Sequence, residues 1–353
     1  MARDRRLALP GIAAAMLSVL PLHSAISRPL PASRSAAART SPEAVWLVPA
    51  AARLSGEHGS FWTTDLTLTN LGESEASVAL RFLGHDEDGR TGPLAELTLG
   101  SGEARIVKDV LGSLFGLGSG YGAIRVTSPS PRIDLRTETS TPGPGGSYGH
   151  AVPALPREDW IEGTVTRILG PVSETASERT NLVLVNGNEA PLSVTVALRS
   201  TEGAILARRN VELPPQGMTQ LSRVVRGLGI TDPVEDARIE LSATTADAAF
   251  VASAVVIDTA TNDPRTLLPN APSSWLLPAC ARGPGAGGSF WTTDVTVSNT
   301  GNAEAHFEMK LLVHDEDGRT GPAVKTSLSP GQSRTWHDAL QSLFALETGH
   351  GAL

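Results

Sequence analysis

The heptapeptide Gly59-Ser60-Phe61-Trp62-Thr63-Thr64-Asp65 is written a second time, unchanged, as Gly288-Ser289-Phe290-Trp291-Thr292-Thr293-Asp294. The two stand 229 residues apart. The same offset of 229 carries His85-Asp86-Glu87-Asp88-Gly89-Arg90-Thr91-Gly92-Pro93 onto residues 314–322, Trp46-Leu47 onto Trp275-Leu276, and Ser113-Leu114-Phe115 onto Ser342-Leu343-Phe344. A weaker middle copy fits between them. Thr180-Asn181-Leu182-Val183-Leu184-Val185-Asn186 aligns with Thr64–Asn70 at an offset of 116 and with Thr293–Asn299 at 113. Asp88-Gly89 then corresponds to Glu202-Gly203, and Val110-Leu111 to Val224-Val225. Three units of about 115 residues follow, each large enough to bury its own core.

Within each unit the apolar residues alternate with period two, the signature of half-buried strands. Leu66 and Leu68 alternate with Thr67 and Thr69, and Val295 and Val297 do the same further on. Turns follow at Asn70-Leu71-Gly72, Asn186-Gly187 and Asn299-Thr300-Gly301, where Asn and Gly tolerate positive φ. Val110-Leu111 with Leu114-Phe115 has helical spacing over a stretch too short for an independent helix, so one or two turns capping the end of a sandwich are expected. The expected fold is all-β: tandem β-sandwich domains, immunoglobulin-like or jelly-roll-like, over 44–156, 157–272 and 273–353. The third is incomplete, because Leu353 falls opposite Ile124 and nothing matches the strands from Ile124 to Pro156. It is therefore expected to be the least stable, as a fragment of a longer gene product.

Residues 1–25 read as a secretory signal peptide. Three arginines and one aspartate precede the apolar run Leu7–Leu22, which ends at His23-Ser24-Ala25. Residues 26–43 are a flexible lead-in of Ala, Ser, Pro and Arg. The chain is expected to be secreted or at a bacterial cell surface, with no membrane span once the leader is removed.

Composition excludes several functions. With 29 Lys+Arg against 37 Asp+Glu, a formal charge of −8 and no basic stripe, the chain is a poor nucleic-acid binder. One cysteine, Cys280, rules out an internal disulfide framework. It stands where the first unit has Ala51, as a small apolar residue. No nucleophile elbow occurs on an α/β sheet, and the acidic pairs sit on turns rather than in clefts.

Phe-Trp-Thr-Thr-Asp, the Asn-x-Gly turn, the Val-Leu-x-x-Leu-Phe-Gly-Leu segment and the following Gly-Ala-Ile-Arg-Val resemble tandem immunoglobulin-like β-sandwich repeats of large secreted bacterial proteins. The resemblance covers most of residues 44–353 and implies structural motifs without a known chemistry. The middle unit departs from it by lacking Phe-Trp.

Two sets of residues are candidate sites. Asp86, Glu87 and Asp88, with Asp315, Glu316 and Asp317, offer carboxylates beside a glycine turn, as a calcium site would. Against this, the EF-hand spacing is absent, Arg90 and Arg319 stand beside the acids, and the middle unit has Ser200-Thr201-Glu202-Gly203. A solvated hairpin turn accounts for the same residues. Phe61 and Trp62, with Phe290 and Trp291, are candidate sugar-stacking platforms. Strand parity instead turns Trp62 inward with Leu66 and Leu68, leaving Phe61 exposed. No organic cofactor is implied. The expected function is a non-catalytic secreted scaffold: a surface, adhesive or spacer element meeting an extracellular protein or a glycan surface. Carbohydrate binding through the aromatic pairs, and an accessory region of an extracellular hydrolase, remain as alternatives.

Overall fold

The computed structural model describes residues 43–143, 146–269 and 275–353. The expected leader (1–25) and all of the lead-in but Glu43 lie outside the described residues. The fold is all-β, with 56% of the described residues in strands against 8% in helices, so sheets supply the layers. Among the described residues no helix is long and apolar enough to cross a membrane.

The first group of strands comprises β1 (Ala44–Ser55), β2 (Phe61–Asn70), β3 (Ala76–Gly84), β4 (Leu94–Leu99), β5 (Ala104–Val107), β6 (Gly120–Ser128), β7 (Ile133–Gly143), β8 (Gly146–Pro153) and β9 (Leu155–Pro156). One layer runs β4-β3-β6-β1, with β9 on β1; the other runs β5-β2-β7-β8. The far end of β1 also pairs with β2, so this strand joins the layers. Leu66 and Leu68 of β2 face Val78, Leu80 and Phe82 of β3 across one buried cluster, and the short helix α1 (Val110–Ser113) closes its end with Val110 and Leu111. The alternation in the sequence has become two sheets face to face, each burying its apolar parity.

The second group is β10 (Ile161–Glu162), β11 (Arg167–Glu174), β12 (Glu178–Asn186), β13 (Leu192–Arg199), β14 (Ile205–Leu213), β15 (Met218–Leu221), β16 (Val234–Ala243), β17 (Ala249–Asp258) and β18 (Pro264–Leu267), with α2 (Val224–Gly227) between β15 and β16. Its layers run β14-β13-β16-β11 and β15-β12-β17, with β18 on β17. Position for position this is the order of the first group.

The third group is β19 (Cys280–Pro284), β20 (Phe290–Trp291), β21 (Val295–Ser298), β22 (Ala305–Lys310), β23 (Leu312–Val313), β24 (Ala323–Leu328), β25 (Ser333–Trp336) and β26 (Gly349–Ala352), with α3 (Ala339–Phe344) before the last. β21 pairs with β25 and β22 with β24, while β26 lies between β19 and β23. These repeat the pairs β2–β5, β3–β4 and β1–β6–β3. Cys280 is buried beside Leu311 and Leu340, and burial pushes its thiol above the ordinary range.

The aligned Thr-(Asp/Asn) and Asn positions do the same work three times. Thr64 Oγ1 accepts the Ala52 N–H at 2.8 Å, Thr180 Oγ1 that of Ser173 at 3.2 Å, and Thr293 Oγ1 that of Ala281 at 2.9 Å. Asp65, Asn181 and Asp294 each accept, through a side-chain oxygen, the N–H of the residue opening the helical turn: Asp109, Arg223 and Asp338 at 2.9, 3.0 and 2.9 Å. Those three residues are left-handed, with φ of 46°, 49° and 48°. The bond holds a conformation that is costly for a non-glycine residue. The buried amides of Asn70, Asn186 and Asn299 donate to carbonyls of the following turn and of the fourth strand's end.

Candidate functional site

The sheets meet at a junction for which strand alternation alone has no place. In β12 the run Leu182-Val183-Leu184-Val185 is buried on both faces. Leu182 and Leu184 point into their own sandwich. Val183 and Val185, with Met218 and Val251, cover Leu47, Leu83 and Ala123 on the outer face of the first group. The first group has Thr67 and Thr69 where the second has Val183 and Val185. That exchange of polar for apolar between aligned copies is the sequence signal of the junction.

The His85–Asp88 loop is part of the same junction. His85 forms a parallel bridge to Met218, and the Asp86 N–H donates to the Met218 carbonyl at 2.8 Å. The Thr219 hydroxyl donates to Asp86 Oδ1 at 2.8 Å, and the Gly89 N–H to the Pro215 carbonyl at 3.0 Å. A Cβ on Gly89 would lie 2.0 Å from the Gln216 carbonyl oxygen, so the close approach needs glycine here. Arg90 reaches the Glu189 carbonyl at 3.2 Å.

The six candidate calcium ligands are thus placed individually. Asp86 is at the junction. The Glu87 carboxylate folds over Gly84. Asp88 caps a turn by accepting the Arg90 N–H at 3.0 Å and pairs with its guanidinium at 2.6 Å; the side-chain hydrogen bond from Arg90 holds the carboxyl below its usual range. Asp317 repeats this with Arg319 at 2.7 Å. Asp315 lies exposed beside His314, and the Glu316 N–H donates to the Val313 carbonyl. Among the described residues no three His, Cys, Asp or Glu side chains gather in a metal-holding group.

The aromatic pairs do not divide as parity predicts: Trp62 is half-buried outside the Leu66 and Leu68 core, and Trp291 is exposed. Phe61 is exposed, with the Arg53 guanidinium 5.4 Å from its ring centre; Phe290 has Arg282 at 5.1 Å. Trp62 is half-buried and lies over Gly56, its Nε1 donating to Ser60 Oγ at 3.0 Å. Trp291 lies over Gly285 in the same way yet is 63% exposed.

Trp62 walls a cleft of about 410 Å³ between the first and second groups, together with Tyr121, His150, Arg179, Asn181 and Gln220. The Thr266 hydroxyl donates to the Ala151 carbonyl at 2.9 Å, so its contact with His150 Nδ1 at 2.5 Å is a bond donated by the imidazole. That fixes the tautomer and leaves Nε2 as an acceptor. Burial lowers the His150 pKa to about 4, so the ring is neutral at ordinary pH. Arg179 is held by Asn262 Oδ1 at 3.3 Å and Glu57 at 3.6 Å, while its buried Nε has no partner. A neutral acceptor, an unused N–H and an indole wall suit a small polar ligand.

No protein-family model, no curated protein and no solved structure matches the chain.

Proposed function

We propose that the chain is a non-catalytic, exported scaffold of three tandem β-sandwich copies, 44–156, 157–272 and 273–353, acting as a spacer or adhesive surface. The supporting observation is that the same two places meet at both junctions, with the bond donated by the loop at the first and by the strand at the second. At the first junction the loop after β3 meets the first residue of β15: His85 and Asp86 against Met218. At the second, the loop after β13 meets the first residue of β25: the Ser333 N–H donates to the Thr201 carbonyl at 2.8 Å. Strand registers make Thr201 the equivalent of His85, since Leu198 faces Ile239 as Phe82 faces Ile124. The second junction is polar where the first is apolar. Arg238, 2% exposed, donates to the Gly331 carbonyl and to Ser333 Oγ. Repeated stacking with a fixed contact sets a fixed spacing, as a spacer requires.

The strand order is the unit's own. In immunoglobulin domains the first strand lies beside the second and the third beside the sixth; here the third keeps the sixth, and the first lies along the sixth over most of its length and beside the second at its far end. This order does not identify the unit as immunoglobulin-like.

Small-angle scattering tests the reading. The protein should give one stiff, calcium-independent length, and Met218→Asp should loosen the first junction and broaden the distance distribution while the sandwiches stay folded. An unchanged profile for that variant would count against it. The Trp62 cleft supports a second reading, binding of a saccharide, for which glycan binding lost on Trp62→Ala in a folded variant is the test.

A further inference from the structure

The third copy carries the docking face of the first with no occupant among the described residues. Leu83, His85, Asp86, Arg90 and Ala123, all at the first junction, recur 229 residues later as Leu312, His314, Asp315, Arg319 and Ala352. The backbone is also the same: β23 pairs with β26 as the end of β3 pairs with β6, and Asp315 has φ 59° where Asp86 has 57°. Yet the side chains of Asp315 and Arg319 are 88% and 89% exposed.

The complementary face on the first copy is likewise uncovered among the described residues. Its β5, with the turn Gly100–Glu103, corresponds to β15 and to β25, the strands that receive a loop at the two internal junctions. Register fixes the equivalents: Thr69 faces Ala104 as Val185 faces Met218 and Ser298 faces Ser333. Here Ala104 is exposed, Ile106 is 62% exposed, and no loop among the described residues covers the strand. An uncovered edge strand of this kind is a template for further pairing.

We infer that the His314–Arg319 loop of one molecule docks on β5 of a second copy of this chain, head to tail, continuing the internal stacking. Charge supports that partner. Where Asp86 accepts from Thr219, the transferred register puts Asp315 opposite Arg105. Where Arg90 donates to the Glu189 backbone carbonyl, it puts Arg319 beside residue Glu73, since the Asn186 amide donates to Ala190 as the Asn70 amide donates to Ser74. Each place brings residues of opposite charge near one another, Arg105 being already paired with Glu103 at 2.5 Å, and such complementarity favours encounter and fixes register. The donor face and the receiving face differ, so the contact is heterologous and each addition leaves a new end free. The inference rests on the three-copy reading above.

Sedimentation velocity on the full chain, over rising concentration and at two salt levels, tests it. The expected result is a weight-average sedimentation coefficient that climbs without a plateau at dimer and falls with added salt. Arg319→Glu and Glu73→Arg should each reduce the association about tenfold, and the two reversals mixed in one chain should restore it. Arg105→Glu, opposite Asp315, should weaken it independently. All these side chains are at least partly exposed, so thermal melting of the monomer should be little altered. A wild-type protein that stays monomeric, one that stops at dimer, or association indifferent to the charge reversals overturns the inference. If Met218→Asp still loosens the internal junction in those cases, the three-copy reading stands and the head-to-tail contact alone is lost.

Discussion

Thr219 donates its hydroxyl to the Asp86 carboxylate at 2.8 Å across 133 residues of chain. Asp315 has the same sequence neighbours and the same left-handed backbone, with no such partner among the described residues. The pair isolates the junction bond from the strain of the turn. Replacing Asp by Ala at a positive φ costs the preference of Asp for that region in both places. At Asp86 it also removes a half-exposed hydrogen bond, so Asp86→Ala should cost about 1 kcal/mol more than Asp315→Ala. Urea unfolding of the two variants measures the difference; equal costs would remove the junction role of Asp86.

The buried Asn amides offer a stronger test. Asn70 is fully buried, and its amide donates to the carbonyls of Ser74, Leu99 and Gly100 at 2.7, 3.1 and 3.0 Å. Asn70→Ala leaves those acceptors short of a donor inside the sandwich, at a cost of roughly 3 kcal/mol. Asn186→Ala should behave alike. Equilibrium denaturation checks both, and Asn70→Asp should do no better, because a carboxylate cannot donate to three carbonyls.

The strands and the capping turn were legible in the sequence because each depends on local pattern. Alternation marks a strand with one wet face, and the recurring Thr, Asp/Asn and Asn mark backbone groups that need a partner. The junction was harder to read. Thr67 and Val183 occupy one strand position in two copies, and only their comparison shows that the outer face is covered in one and open in the other. The His85–Asp88 loop reads as a solvated turn since it is charged, yet most of what it does at the junction is done by its backbone, whose bonding leaves little trace in residue type. The cleft wall brings together Trp62, His150 and Arg179 from distant strands, which no spacing announces.

His150 gives the protein an acid-sensitive element. Its folded pKa of about 4 lies below the ordinary 6.5 because burial penalises the imidazolium. As the pH falls through about 6.5 the unfolded chain takes a proton that the folded chain refuses until about 4, so stability is whole above this window and is lost within it. The ceiling on that loss is about 3 kcal/mol. His337 works the other way: its hydrogen bond to Asp294 raises its pKa, and the stability it adds is present at acid pH and lost as the pH rises through that raised value. Thermal midpoints measured across pH 4–7 for wild type and His150→Gln should converge toward pH 4, the variant showing the shallower slope. Parallel curves would mean that His150 does not titrate with unfolding.

Trp62 and Trp291 share their sequence neighbours and their glycine seat but differ in cover. Trp62 is half-buried in the cleft wall and tied to Ser60, whereas Trp291 is largely in water. Removing the first indole opens a cavity between two sandwiches; removing the second takes away surface that is already wet. Trp62→Ala should therefore cost about 2 kcal/mol and Trp291→Ala about 0.5 kcal/mol or less in denaturant unfolding. Ligand binding gives the same pair a second use. A saccharide held in the cleft would be lost with Trp62 and kept with Trp291, whereas a ligand lost equally with either would belong to the exposed aromatic faces of Phe61 and Phe290 and not to the cleft.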